Sequence, residues 1–395
     1  MKNLRDFKYL KNTRVLLRLD LNVPLKDGFI TDETRIIKII PILKYLIKEN
    51  AKVIIISHVG RPKGKINPQL SLKPIKENLE KKLSQKIHLI SDDLKKIKNT
   101  NLFEKLSERI IFFENIRFYK EEENNDLNFS RDLASLADIY INDAFSCSHR
   151  NHASVTSITE FLPSYPGIQL ISEIEALEKV TNNIEKPVTC IMGGSKISTK
   201  IGIIKNLIPR FNNIIIVGGM ANNILNYKNF QIGKSIHETK CGDIIKDIFN
   251  ELKKFPCSLI YPKDVIVGKN FNDKPSVRDL NKIKNDEMIL DIGPKTIEEI
   301  NDLINKSKTV LWNGPAGYCE NPDFAKGSIE IAKSIIRKSK TNSLYSVAGG
   351  GDTIALLNKL KAIENFDFVS TAGGAFLEYL EGKDLPGIKA LKNHV

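Results

Sequence analysis

Long apolar runs are missing from this chain. The longest, such as VIII at 53–56, fall far short of the ~20 residues that cross a bilayer. That excludes a helical membrane protein and leaves these runs to be read as buried strands. The start, MKNLRDFKYLKNTR, has no apolar signal-peptide core, so a cytoplasmic protein is expected. Cysteine is scarce: Cys147, Cys190, Cys241, Cys257 and Cys319 are scattered with no CxxC spacing. This points to a reducing compartment and away from a disulfide framework or a zinc site. HExxH and clustered His/Cys spacings are also absent, which removes a histidine-based metal site. GKS at 233–235 mimics a phosphate loop, but Lys228 stands where its first glycine belongs and no apolar strand leads in. The GxGxxG pattern fails as well, because Gly349 and Gly351 are followed by Ile354.

What the chain has is length, charge and alternation. At 395 residues, two domains are expected rather than one core. A net charge of +13 suits a polyanionic ligand, nucleic acid among them. Lysine is spread throughout, however, including surface helices such as ENLEKKLSQK, and no basic stripe interleaves with aromatics. The charge therefore reads as composition, and no nucleic-acid partner is required.

Short β-branched runs alternate with helical patterns. Strands are expected at 14–19, 52–57, 109–115, 138–143, 187–192, 213–219, 258–262, 309–314, 343–350 and 366–374. Strands separated by about 10 or more helical residues imply parallel βαβ units, hence an α/β fold with two Rossmann-like parallel-sheet domains. Ligands in such sheets collect at the loops leaving the strands' carboxyl ends. FLPSYPGIQ (161–169) precedes an amphipathic helix at 170–184 and marks the domain boundary, with Pro187 opening a new strand.

In the first half, basic and oriented polar groups fall at those loops. Asp20 and Asn22 follow the first strand, and His58 and Arg61 the second. Arg117 follows FFEN, NDAFSCSHRNH carries His149, Arg150 and His152, and Arg35 opens a helix. Each has a plain alternative: a solvated arginine, a turn-capping Asp or Asn, a hydrogen-bonded structural histidine. Their recurrence at one topological place favours a basin for a small, highly anionic molecule, since the guanidinium fork matches phosphate and carboxylate oxygens.

The second half reads as a nucleotide-phosphate site. In VTCIMGGSKISTK, Lys196 and Lys200 are expected on one face of a helix's first turns. The dipole there is already positive and like charges repel, so an anion is expected to join them. Gly349, Gly350 and Gly351 let backbone approach a phosphate. Asp352 is either an N-cap or a hard oxygen ligand beside phosphates, where Mg²⁺ would bridge. STAGGAF at 370–376 repeats the strand–glycine–helix pattern.

The series RLDLNVP, SHVGRPKG, FFENIRFYKEEE, NDAFSCSHRNHAS, GGSKISTK, WNGPAGYCE, GGGDT and STAGGAFLEYLEGKDLPG, running from residue 14 to residue 388, resembles the phosphoglycerate kinase family. The resemblance implies two domains facing a central cleft. One, 1–168 with a returning segment 380–395, would bind 3-phosphoglycerate or 1,3-bisphosphoglycerate. The other, 186–379, would bind MgADP or MgATP, with 169–185 as interdomain helix and hinge. It implies a monomer acting on small molecules, with no membrane. It assigns Asp20, Asn22, Arg35, His58, Arg61, Arg117 and Arg150 to the glycerate. Lys196 and Lys200 would serve the nucleotide phosphates and the transferring group, Glu320 the ribose, and Gly350, Gly351, Asp352 and Thr353 the phosphate and magnesium loop. Arg35, Lys196 and Lys200 would be catalytic, with amides near Gly373–Gly374 adding donors. The chain departs from the family pattern at Ser146-Cys147-Ser148 (commonly Gly-Thr-Ala), Ser195 (Ala), Ala372 (Gly) and Ile289, where some members carry glycine near the adenine. The rival classes are a phosphometabolite sensor without turnover and a nucleic-acid binder. Transition-state cations speak against the first, and salt-dependent shift assays discriminate the second.

Overall fold

The computed structural model describes residues 9–97 and 106–393, together with Leu4, Phe7 and 102–104. Much of the basic start of the chain, and His394 and Val395, lie outside the described residues. The fold divides into two compact units, one of 1–174 with 384–395 and the other of 175–383. The first division falls inside the helix Ile168–Thr181. Among the described residues no helix is long and apolar enough to cross a membrane.

The first unit is built on six parallel strands in the order His88–Ile90, Ile110–Phe113, Lys52–Ile56, Arg14–Leu19, Ile139–Asp143, Ser164–Pro166. Its central strands are apolar on both faces, as a sheet covered on both sides requires. Period-two alternation sends Val15, Leu17, Val53, Ile55, Phe112 and Ile141 into one core layer. Leu16, Ile54, Ile56, Ile111, Phe113 and Tyr140 enter the other. Arg18 occupies the register position after Leu16 on that second face and is fully buried. The segment 161–169, read from its prolines and glycine as the boundary, supplies the edge strand Ser164–Pro166 of this sheet. The helix Pro386–Asn393 returns to this unit, where Gly387 N–H donates to the Ser148 carbonyl at 2.8 Å.

The second unit repeats the plan: Ser258–Ile260, Asn213–Ile216, Val188–Met192, Thr309–Asn313, Tyr345–Gly349, Phe368–Ser370, all parallel. Ile191, Ile215, Val310, Trp312 and Ala348 form the heart of one core layer. A three-stranded antiparallel sheet, Ser276–Asp279, Asp264–Gly268, Met288–Ile292, is added. All ten expected strands are present, Arg14–Leu19 at its expected length and the other nine shortened. In each large sheet the order reverses beside the first strand, between Arg14–Leu19 and Ile139–Asp143 and between Val188–Met192 and Thr309–Asn313. Ligands of open α/β sheets gather at such switch points, beyond the carboxyl ends.

Candidate functional site

In the first unit, every basic or oriented group singled out from the sequence, apart from Arg35, leaves the carboxyl end of a strand. Asp20 and Asn22 follow Arg14–Leu19, and Asp20 Oδ1 accepts from Arg35 Nη1 at 2.8 Å. Arg35 lies in the first turn of the helix Thr34–Lys48, which has no acidic residue there. Asn22 Oδ1 accepts from the Gly60 N–H at 2.9 Å, and Arg117 Nη1 donates to the Gly60 carbonyl at 3.2 Å. These bonds tie three successive strand-end loops together. Arg117 also stands 3.7 Å from Glu123. Arg61 and Arg150 are exposed. His58 is 3% exposed, with Arg18 Nη2 3.1 Å from its Nδ1. Burial first, and then the Arg18, Arg117 and Arg35 cations, hold it well below the ordinary histidine range. His152 is lowered to about 3 by burial first, and then by Arg117, Arg18, Arg150 and His149.

Arg18 and Glu122, neither singled out from the sequence, complete this region from below. Arg18 Nε donates to Ser154 Oγ at 2.9 Å, and Ser154 Oγ donates to Glu122 Oε1 at 2.6 Å. Both charged residues are 0% exposed. A buried charge is retained only when paired and hydrogen-bonded. The available signal was a cation inside an otherwise apolar strand. Glu122 sits in the run KEEE, which reads as a solvated face.

In the second unit the switch point is sealed by backbone on backbone. A Cβ at Gly193 would fall 2.0 Å from the Pro315 carbonyl oxygen, so only glycine fits between the two loops. Lys200 Nζ donates to the Gly193 carbonyl at 2.8 Å and to the Asn313 carbonyl at 3.3 Å, and also to Asn313 Oδ1. Burial lowers this ammonium to about 8. The expectation that both lysines lie in a helix's first turns is corrected here: the helix starts at Ile201, with Lys200 at its cap. Residues 195–200 are an irregular loop ending in a turn at 198–200, held where Ser198 N–H donates to Glu238 Oε2 at 3.0 Å and its hydroxyl bonds the same carboxylate. Lys196 is exposed.

Beside this lies a cavity of about 640 Å³ lined by Gly194, Gly218, Ile236, Phe271, Ile289, Leu290, Tyr318, Glu320 and Asp352, among others. A Cβ on Gly194 would lie 3.7 Å from Lys200 Nζ, which places the ammonium at the cavity's edge. The walls are mainly apolar, as for a planar base, with Lys234, Asp291, Glu320, Asp352 and Lys359 also in the lining. The helix Gly351–Lys359 is capped by Gly350 at φ 99°, without a side-chain capping bond. Asp352 is therefore an exposed first-turn carboxylate rather than the N-cap. Thr353 is buried, and its Oγ1 accepts from the Gly314 N–H at 2.7 Å. Asp291, also in the cavity wall and missed from the sequence, accepts from Gly327 and Ile292 N–H groups. Burial pushes it up to about 7.

A model of the family Phosphoglycerate kinase matches residues 4–383. The chain belongs to the phosphoglycerate kinase family. It is 44% identical over 388 residues to a phosphoglycerate kinase of Wolbachia pipientis wMel, covering 98% of this chain and 97% of the relative. It is 43% identical over 386 residues to one from Orientia tsutsugamushi (strain Ikeda), covering 97% and 95%. Among solved structures, phosphoglycerate kinase from Coxiella burnetii superposes with a TM-score of 0.89 at 37% identity over 98% of both chains. That from Pyrococcus horikoshii OT3 gives 0.82 at 28% identity over 100% of this chain and 99% of the other. Phosphoglycerate kinase membership accounts for the paired α/β units and for the enzyme class, a phosphotransferase acting on small molecules.

Proposed function

We propose that the chain catalyses reversible phosphoryl transfer between 1,3-bisphosphoglycerate and ADP, giving 3-phosphoglycerate and ATP. The observation that carries this is the paired placement of complementary chemistry. Oriented polar groups and arginines stand at the strand ends of one sheet. A partly buried lysine, glycine-bounded backbone and an apolar cavity occupy the switch point of the other. The first unit, 1–174 with 384–395, takes the glycerate; the second, 175–383, takes the nucleotide. The protein acts as a cytoplasmic monomer and requires no nucleic acid.

Transfer of this kind passes through a loose transition state with charge spread over three equatorial oxygens, so positioning and cations supply most of the rate. Both acceptors, a carboxylate and a diphosphate, are already deprotonated at neutral pH, and no general base is needed. Arg35 and Lys196 neutralise the moving phosphoryl group. Lys200 holds nucleotide phosphate, Glu320 the ribose hydroxyls, and the amides of Gly350–Thr353 the phosphates. His58, Arg61, Arg117 and Arg150 clamp the glycerate, with Asp20 and Asn22 orienting it.

Magnesium fits the donor set. Among the described residues no group of three His, Cys, Asp or Glu could hold a metal unaided. Mg²⁺, however, usually takes one or two carboxylates and completes its shell with water and substrate phosphates. Asp352, exposed beside the cavity, is such a carboxylate. When bound, the ion would neutralise phosphate charge.

Calorimetry tests the assignment. Asp352→Asn is expected to weaken MgATP binding by roughly tenfold, the 1.4 kcal/mol of one lost charge contact, while leaving 3-phosphoglycerate affinity unchanged. The reverse pattern would overturn it.

A further inference from the structure

Arg18 is an anomaly of the first sheet. Its neighbour on the same face, Leu16, belongs to an apolar core layer, yet Arg18 is fully buried. Stability alone favours an apolar side chain there, because desolvating a guanidinium and a carboxylate can cost more than their attraction returns. The guanidinium is instead held on three sides. Nε donates to Ser154 Oγ at 2.9 Å and Nη1 to the Leu19 carbonyl at 2.6 Å, while Cys147 Sγ is 3.6 Å from Nη2. Ser154 is fixed in turn: its hydroxyl and N–H both donate to Glu122, and its carbonyl accepts from Tyr140 Oη at 2.6 Å.

The remaining contact, Nη2 to His58 Nδ1 at 3.1 Å, has one chemical reading. An arginine carries five N–H donors and no acceptor, so Nδ1 must present a lone pair. The imidazole hydrogen is then on Nε2. Nor does the surrounding charge favour a second proton. The groups acting on the ring are Arg18 from the first strand, Arg35 from the helix 34–48, Arg117 from the turn 116–118, and His152. Cys147 Sγ lies 4.0 Å from Nδ1.

We propose that Arg18 is a positioning residue that locks His58 in the neutral tautomer bearing hydrogen on Nε2, so that the ring meets the glycerate as a hydrogen-bond donor and not as a cation. The donor role rests on the glycerate assignment above; the tautomer does not. The consequence is a division of labour. Arginines supply the charge in this unit, and His58 supplies one directed bond that does not change with pH.

The test is long-range ¹H–¹⁵N NMR on the full chain labelled at its six histidines, with the His58 signals assigned by their loss in His58→Gln. A bare Nδ1 and a protonated Nε2 are expected throughout the range from about pH 5 to pH 8. Hydrogen on Nδ1, or imidazolium forming near the ordinary value of ~6.5, would overturn the proposal. In Arg18→Met, which keeps the aliphatic stem, His58 should titrate. The KM for 3-phosphoglycerate should then fall with pH relative to the parent as the ring gains charge. A folded Arg18→Met with an unaltered, non-titrating ring would overturn the role of Arg18, and if that variant does not fold, the parent spectrum already decides. Saturating 3-phosphoglycerate should shift the Nε2 signal. No shift would overturn the donor role together with the glycerate assignment, whereas the wrong tautomer would overturn the Arg18 lock and the donor role and leave the glycerate assignment standing.

Discussion

Lys200→Met is expected to lower turnover by roughly 10²–10³-fold, the cost of removing one preorganised charge contact of about 2.7–4 kcal/mol from a transition state. The ammonium stands at the edge of the second unit's cavity and is held by the Gly193 and Asn313 carbonyls. It is thus already aimed before any ligand arrives. Methionine keeps the aliphatic stem that fills the space, so the loss reports the charge. Burial also lowers this group to about 8, and the sign of the pH dependence follows. The cation is present below about pH 8 and lost above it. The nucleotide kcat/KM, which reports the free enzyme, should therefore fall as pH rises through about 8. A bound phosphate restores the charge, so kcat should fall only at higher pH. A profile flat through that region, or near-parent turnover in Lys200→Met, would remove Lys200 from the mechanism.

Arg35→Ala should produce a loss of the same order, roughly 10²–10³-fold in kcat, with little change in thermal midpoint. The two effects separate because of where the residue lies. The Arg35–Asp20 pair is partly exposed, and such pairs contribute only about 0–1 kcal/mol to stability. A cation in the first turn of a helix opposes the dipole, so its removal relieves one unfavourable contact as it breaks one favourable bond. Arg35→Lys should fall between parent and alanine, because the ammonium keeps the charge but loses the bidentate fork. Steady-state kinetics beside thermal unfolding checks both halves. Parent-like turnover in Arg35→Ala would exclude the residue from charge neutralisation.

The parts of the fold legible in the sequence were those where local pattern and tertiary burial agree. Runs such as RVLLRL and KVIIIS are largely β-branched or apolar, and they became the central strands Arg14–Leu19 and Lys52–Ile56. Of the strands passed over, Asp264–Gly268 (DVIVG) and Met288–Ile292 (MILDI) are apolar runs that the sequence reading missed, while others are short or polar. Ser276–Asp279 is SVRD and His88–Ile90 is HLI, and their pairing is decided by neighbours distant in sequence. Ser164–Pro166 was hidden by its prolines, which an edge strand tolerates. The helix after GGSK began later than its periodicity suggested because Glu238, far along the chain, captures Ser198. The return of 384–395 to the first unit is a long-range event that no local pattern encodes. The candidate site residues were legible because they broke stability rules in the strand-end loops and, for Arg35, in a helix's first turn. Arg18 and Glu122 broke the same rules in the interior, where the apolar run around one and the acidic run around the other concealed them.

The most direct test of the account is turnover itself, followed by coupling 1,3-bisphosphoglycerate formation to a dehydrogenase, with ATP and 3-phosphoglycerate supplied and magnesium present or omitted. The account predicts turnover that needs both substrates and is lost when magnesium is withheld. Binding of both substrates without any product formed would contradict it.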